Sequence, residues 1–211
     1  LTISATISDE TYWVDDVPVA PLVFELSSDQ EPPVELDGFE DVEVSLTDPA
    51  GVSAGFFSGS VVDDTVIVLW PDTTPFATPG VYAFVLRMVA LDERLTLAPV
   101  QIVVQDVSEW QTLDSARAAW LDAPDDDFAL FALLQNARTA ILKYGTTLTD
   151  PAEVRAGRRQ AQLMQARAVW NATKSNDQGE VGPEGYAIRV YPLDKNIRQL
   201  LRPNSALPVM F

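Results

Sequence analysis

RRQAQLMQARAVWNATK, running from Arg158 to Lys174, decides how the second half of this chain is read. It continues a helical pattern that opens at Asp150-Pro151. Asp150 suits a cap, Pro151 suits the first helical position, and Glu153 stands three residues after the cap as in a capping box. Leu163, Ala166, Val169 and Trp170 recur on one side at helical spacing, and Met164 and Ala168 widen that side. Arg158, Arg159, Gln160, Gln162 and Gln165 lie mostly elsewhere. The spacing predicts a helix over Pro151–Lys174, about 36 Å long at ~1.5 Å per residue. Periodicity alone describes a core element, so any role must come from its surroundings.

Upstream of that helix the period is also helical. Thr112 or Asp114 is expected to cap a short helix, SARAAWL, which stops before Asp122-Ala123-Pro124. Asp125 and Asp126 then open a longer helix that runs to Tyr144 and closes at Gly145. Phe128, Leu130, Phe131, Leu133, Leu134, Ile141 and Leu142 cover more than one stripe of it, which calls for neighbours on several sides, some of them from other subunits. The cluster of Asp122, Asp125, Asp126 and Asp127 is weighed as a metal site, but it lacks histidine and a defined loop, so helix-start chemistry is favoured. Downstream, Ser175–Gly185 reads as a polar, mobile loop and Tyr186–Tyr191 as a short strand. Asp194 caps a final helix, KNIRQLLR, and NSALPVMF follows as a partly apolar tail suited to docking.

The first half changes period. From Leu1 to Asp106 apolar residues alternate in short runs between turn residues, with about seven strands over ~100 residues, the density of an immunoglobulin-like sandwich. Val17, Val19 and Pro21 precede Leu22, Phe24 and Leu26, and the shift of register between them predicts a bulge or edge kink. Val42, Val44 and Leu46 lead into a turn at Asp48-Pro49-Ala50-Gly51. Thr65–Trp70 is a compact strand, and Val81–Val89 and Leu95–Val104 are the longest. With no cysteine for an inter-sheet disulfide, Trp70, Tyr82 and Phe84 are expected to fill the core. Asp15-Asp16 and Asp63-Asp64 lack calcium-loop spacing and read as turn carboxylates. Trp13 and Trp70 read as packing residues before they read as a sugar-stacking platform. Gln105–Thr112, without glycine or proline, forms a short stiff joint in which Trp110 is pinned to one neighbour.

Charge follows the same division. Residues 1–106 carry 19 acidic residues against only Arg87 and Arg94, and residues 107–211 carry 12 of each sign, so the formal charge of −17 belongs wholly to the first half. That half should repel nucleic acid and anionic membrane. A hydrophobic content of 47% suffices for a sizeable core, no apolar run approaches membrane-spanning length, and no signal-peptide pattern opens the chain. The chain has no Cys and no His, which removes thiolate nucleophiles, Ser–His catalysis and zinc sites, and no phosphate loop or nucleophile elbow is present. An enzyme is not expected, nor a cofactor or metal.

Two resemblances add to this reading. YWVDDVPVAPLVFEL, VEVSLTDPAG, VIVLWPD and PGVYAFVLRM, within residues 10–105, resemble the immunoglobulin-like domain at the amino end of phage baseplate upper proteins, which implies an attachment or decoration module. LDSARAAWLDAPDDDFALFALLQNARTAIL, RRQAQLMQARAVWNAT and IRVYPLDKNIRQLLRPNSALPV, in that order over residues 112–209, resemble the head-to-tail connector (adaptor) family of long-tailed actinobacteriophages. The second resemblance implies a homo-oligomer, a dodecameric ring beneath the portal protein, in the virion neck and assembled in the host cytoplasm. Its partners would be the portal and downstream neck or tail-completion proteins, with DNA passing through and no membrane contact. It further implies that Ile188, Arg198, Leu201, Arg202, Pro203, Leu207, Pro208 and Val209 meet the portal or an adjacent subunit. Arg155, Arg158, Arg159 and Gln162 would face the channel or a neighbouring subunit; the three arginines could face DNA, but because the charges of this half balance, pairing with acidic side chains of a neighbouring subunit is favoured.

The expected architecture is therefore two domains. An acidic immunoglobulin-like β-sandwich (1–106) and a short joint (107–113) precede a mainly α-helical connector domain (114–211) with a docking tail. The competing expectation is a tail or baseplate decoration protein that binds a host glycan through Trp13 or other exposed aromatics.

Overall fold

The computed structural model describes residues 3–7, 11–28, 39, 41–90, 94–106, 110–144, 151–177 and 193–201, and of residues 151–156 and 175–177 the backbone alone. The chain divides into two compact units, Leu1–Asp106 and Val107–Phe211. The expected Ser175–Gly185 loop from residue 178 on, the Tyr186–Tyr191 strand and the carboxyl-terminal tail lie outside the described residues.

The first unit is built from strands whose alternation is set by side-chain chemistry. β7 (Gly80–Val89) shows it most plainly: Tyr82, Phe84, Leu86 and Met88, at every second position, are fully buried, while Arg87 between them is exposed. β3 (Leu22–Ser28) and β4 (Asp41–Thr47) follow the same rule through Leu22, Phe24 and Leu26 and through Val42, Val44 and Leu46. The remaining described strands are β1 (Ile3–Ile7), β2 (Tyr12–Trp13), β5 (Ser53–Val62), β6 (Thr65–Val68), β8 (Arg94–Thr96) and β9 (Val100–Gln105). Their hydrogen-bonded order is β1-β3-β6-β5-β4-β7-β9-β2, with β8 on β7. All pairings are antiparallel except β2 with β9.

β5 makes the sheet continuous. Its first part pairs with β4 and its last part with β6, and Gly59 stands opposite both Val42 and Val68. A Cβ at Gly59 would lie 3.0 Å from Val66 Cγ1 and 3.0 Å from Val68 Cγ2. The missing side chain lets the strand come close to β6 where it changes partner. The inward residues of β1, β2, β3, β4, β6, β7 and β9 meet in one core with Phe76 and Leu97. A single sheet can bury one face against itself in this way only by curling.

These pairings correct the expected class. An immunoglobulin-like sandwich of two separate sheets followed by a mainly α-helical connector domain is not what the chain adopts. Among the described residues it is one curled, nine-stranded mixed sheet with four helices, two of them only seven residues long. The reason is β5: its SAGFFSGSVV is rich in glycine and serine and does not announce a strand, yet it carries the hydrogen-bond ladder from β4 to β6. Two smaller expectations change as well. Val17 and Val19 are exposed and precede the strand, which begins only at Leu22, so no bulge links them. The run Leu95–Val104 is broken between β8 and β9, where Pro99 has no N–H to give a ladder.

The acidic turns have local explanations. Asp48 Oδ1 accepts from the N–H groups of Ala50 and Val52 at 2.9 and 2.8 Å, and Gly51 takes φ 81° to close that turn. Asp63-Asp64 is the two-residue connection between β5 and β6, with Asp63 at φ 52°. Asp15, at φ 66°, turns the chain just after β2.

The second unit contains α1 (Leu113–Ala119), α2 (Asp127–Tyr144), α3 (Pro151–Asp177) and α4 (Lys195–Leu201). Thr112 caps α1 in a reciprocal capping box with Ser115. Asp126 caps α2, accepting from the N–H groups of Phe128 and Ala129 at 3.2 Å each. α3 runs three residues beyond Lys174.

Candidate functional site

Of the site residues expected from the adaptor resemblance, those within the described residues lie on α3 and α4 of the second unit. Its centre is a cluster in which Trp110, Ile141, Ala161, Leu193, Ile197 and Leu201 are buried together. Trp110 is held from above as well, with the Arg138 guanidinium 5.2 Å from its ring centroid. α4 approaches α3 closely at Gly157, where a Cβ would stand 3.3 Å from the Leu200 carbonyl oxygen.

A polar network runs through this unit. The Gln111 N–H donates to Gln162 Oε1 at 2.8 Å, and Gln162 Nε2 donates to the Leu134 carbonyl at 2.9 Å. Gln111 Nε2 donates to the Arg159 carbonyl at 3.2 Å, and Ser115 Oγ donates to Gln111 Oε1 at 2.6 Å. The stretch before α1, α1 itself, α2 and α3 are thereby tied by amides whose donors and acceptors satisfy one another.

That network relocates part of the expected site. Gln162 is 1% exposed, and its amide oxygen and nitrogen both bond within the unit, so it does not face a channel or a neighbouring subunit. Gln165 is buried too, so the polar side of α3 is partly an inner face. Leu201, expected at the portal or subunit interface, is 4% exposed and belongs to the Trp110 cluster. Arg198 is half-buried; its Nε donates to the Leu193 carbonyl at 2.6 Å and its guanidinium lies 5.8 Å from the Tyr144 ring centroid. Arg158 and Arg159 are half-buried on α3, and Arg155 lies in the same helix, its side chain outside the described residues. Ile188, Arg202, Pro203, Leu207, Pro208 and Val209 are likewise outside them. The structure thus brings Leu201 together with Trp110 and ties Gln162 to Gln111, two roles that helical periodicity could not show.

Replacing Arg198 by glutamate is expected to loosen α4 from its own unit. The substitution removes the guanidinium that reaches from α4 to the Tyr144 ring on α2, together with the local donor to the Leu193 carbonyl, a loss of about 1–3 kcal/mol. Hydrogen exchange over Lys195–Leu201 should accelerate accordingly. Unchanged protection there would show that Arg198 does not anchor α4.

Asp127 pairs with Arg117 at 2.5 Å and Asp126 is engaged as a cap. No group of three or more potential metal ligands occurs among the described residues. Trp70 stands among Tyr12, Phe57, Phe76 and Phe84 at centroid distances of 5.5–6.1 Å, packed against the sheet core. Trp13 is half-buried in β2. No described helix is long and apolar enough to cross a membrane. Among the charged and polar side chains that the second unit exposes stand a few large apolar ones: Leu121 is 98%, Leu142 52% and Leu200 40% accessible.

No family model and no curated protein matches the sequence. Among solved structures the chain is similar to CopC from Methylosinus trichosporium OB3b, at 11% identity and a TM-score of 0.31, over 49% of this chain and 96% of that one. A likeness of that size supports no conclusion about fold or function.

Proposed function

We propose that this chain is a structural protein of a phage neck, a head-to-tail adaptor whose copies form a ring below the portal through which DNA passes. The reading is one of role and does not require the domain class corrected above. The observation that carries it is the exposure of Leu121, Leu142 and Leu200 on a unit whose charges balance, 12 of each sign. Scattered apolar exposure is ordinary, but Leu142 and Leu200 stand on the two helices that flank the Trp110 cluster, a rigid base for subunit contacts. The ordered blocks of the adaptor resemblance supply the partner, and they fall on α1–α2, on α3 and around α4.

The glycan-binding alternative draws less support. Trp70 is packed into the core and Trp13 is half-buried in β2, while Phe56 on β5 is 78% accessible but stands alone among the exposed aromatics described in the first unit. Mass measurement of the purified full chain tests the adaptor role. A closed ring of about a dozen copies is expected; a chain that stays monomeric under all solution conditions would falsify it.

A further inference from the structure

Resting on the ring reading above, we infer that the first unit is an electrostatic brake on self-assembly, keeping free copies apart until their charge is screened. Its 19 acidic residues have only Arg87 and Arg94 beside them, so at most two carboxylates can be neutralised within the unit. Arg87 is paired with Glu43 at 3.6 Å, an exposed contact of small worth. The described carboxylates are not gathered on one side. Asp15 and Asp16 follow β2, Glu25 lies in β3, Asp41 opens β4, Asp63 and Asp64 turn β5 into β6, and Asp72 follows β6, all of them exposed. The second unit, with 12 charges of each sign, supplies no compensating excess.

Copies brought side by side in a ring therefore add like charge to like charge. The repulsion reaches about 10 Å at 0.1 M ionic strength and shrinks to about 3 Å at 1 M. Salt should consequently promote assembly. A ring held by ion pairs between copies would respond in the opposite direction, because screening weakens attraction as well. Salt also strengthens apolar contacts to some degree, so a charge-deleted variant is needed to separate the two effects.

The variant is Glu25→Gln, Asp41→Asn, Asp63→Asn and Asp72→Asn combined. Each change preserves shape, and asparagine tolerates the positive φ of Asp63. Sedimentation velocity on both full-length proteins, from about 0.05 M to about 1 M NaCl, should show the wild type gaining at least about tenfold in apparent association constant. The variant, whose first unit goes from −17 to −13, should assemble at a lower salt concentration than the wild type, with near-ultraviolet circular dichroism confirming its fold. Assembly weakened by salt, or superimposable curves for the two proteins, would overturn the brake while leaving the ring reading in place. No larger species from either protein at any salt would remove both.

Discussion

Replacing Phe84 with alanine is expected to destabilise the first unit by about 3–5 kcal/mol, the usual cost of deleting a buried aromatic ring. Phe84 is 0% exposed at the middle of β7, opposite Leu46 on β4 and Val100 on β9. Its ring meets Phe24 at 5.6 Å and Trp70 at 6.1 Å between centroids, both edge-on, an arrangement that adds to simple area burial. The cavity would open between strands from both ends of the curled sheet, which cannot collapse without breaking ladder hydrogen bonds. Trp70 provides the readout, since its emission should shift as the neighbouring ring is lost. In a thermal melt of a unit this size the midpoint should fall by more than about 10 °C. A drop of only a degree or two would mean that the curled sheet repacks around the void.

Gln162 gives a second large effect and a sharper test of where α3 faces. Gln162→Leu keeps the volume but leaves the Gln111 N–H without its acceptor, at a cost of about 1–3 kcal/mol. Gln162→Glu should be worse, about 3–5 kcal/mol, because an oxygen replaces the donor to the Leu134 carbonyl and a charge enters a site 1% exposed. Urea titration of the two variants checks the order: glutamate below leucine below wild type. On a channel-lining surface either change would stay within about 0.5 kcal/mol, so two near-neutral variants would return Gln162 to the surface.

Together these results bear on the proposed ring. An assembly surface cannot be built from Gln162 and Leu201, which are consumed inside the protomer, and it shifts to side chains such as Leu121, Leu142 and Leu200. The first unit enters the same picture through charge rather than contact. Its described carboxylates stand mostly at exposed turn and strand positions, and the common sign of its charges, not their positions, gives them a collective effect.

Much of the local structure was legible in the chain itself. Period-two alternation through Tyr82, Phe84, Leu86 and Met88 fixed which face of β7 is buried, because neighbouring residues on a strand point oppositely. Asp48-Pro49-Ala50-Gly51 specified its turn, and Thr112, Asp126 and Asp194 specified helix starts, since each satisfies backbone N–H groups only a few residues away. Tertiary structure alone decided two things. It made one curled sheet of the strands, because β5 takes two partners through pairings between distant residues that no local pattern records. It also turned the Gln162 side of α3 inward, because a buried amide is stable only where matching groups converge, here the Gln111 N–H and the Leu134 carbonyl, 51 and 28 residues away along the chain.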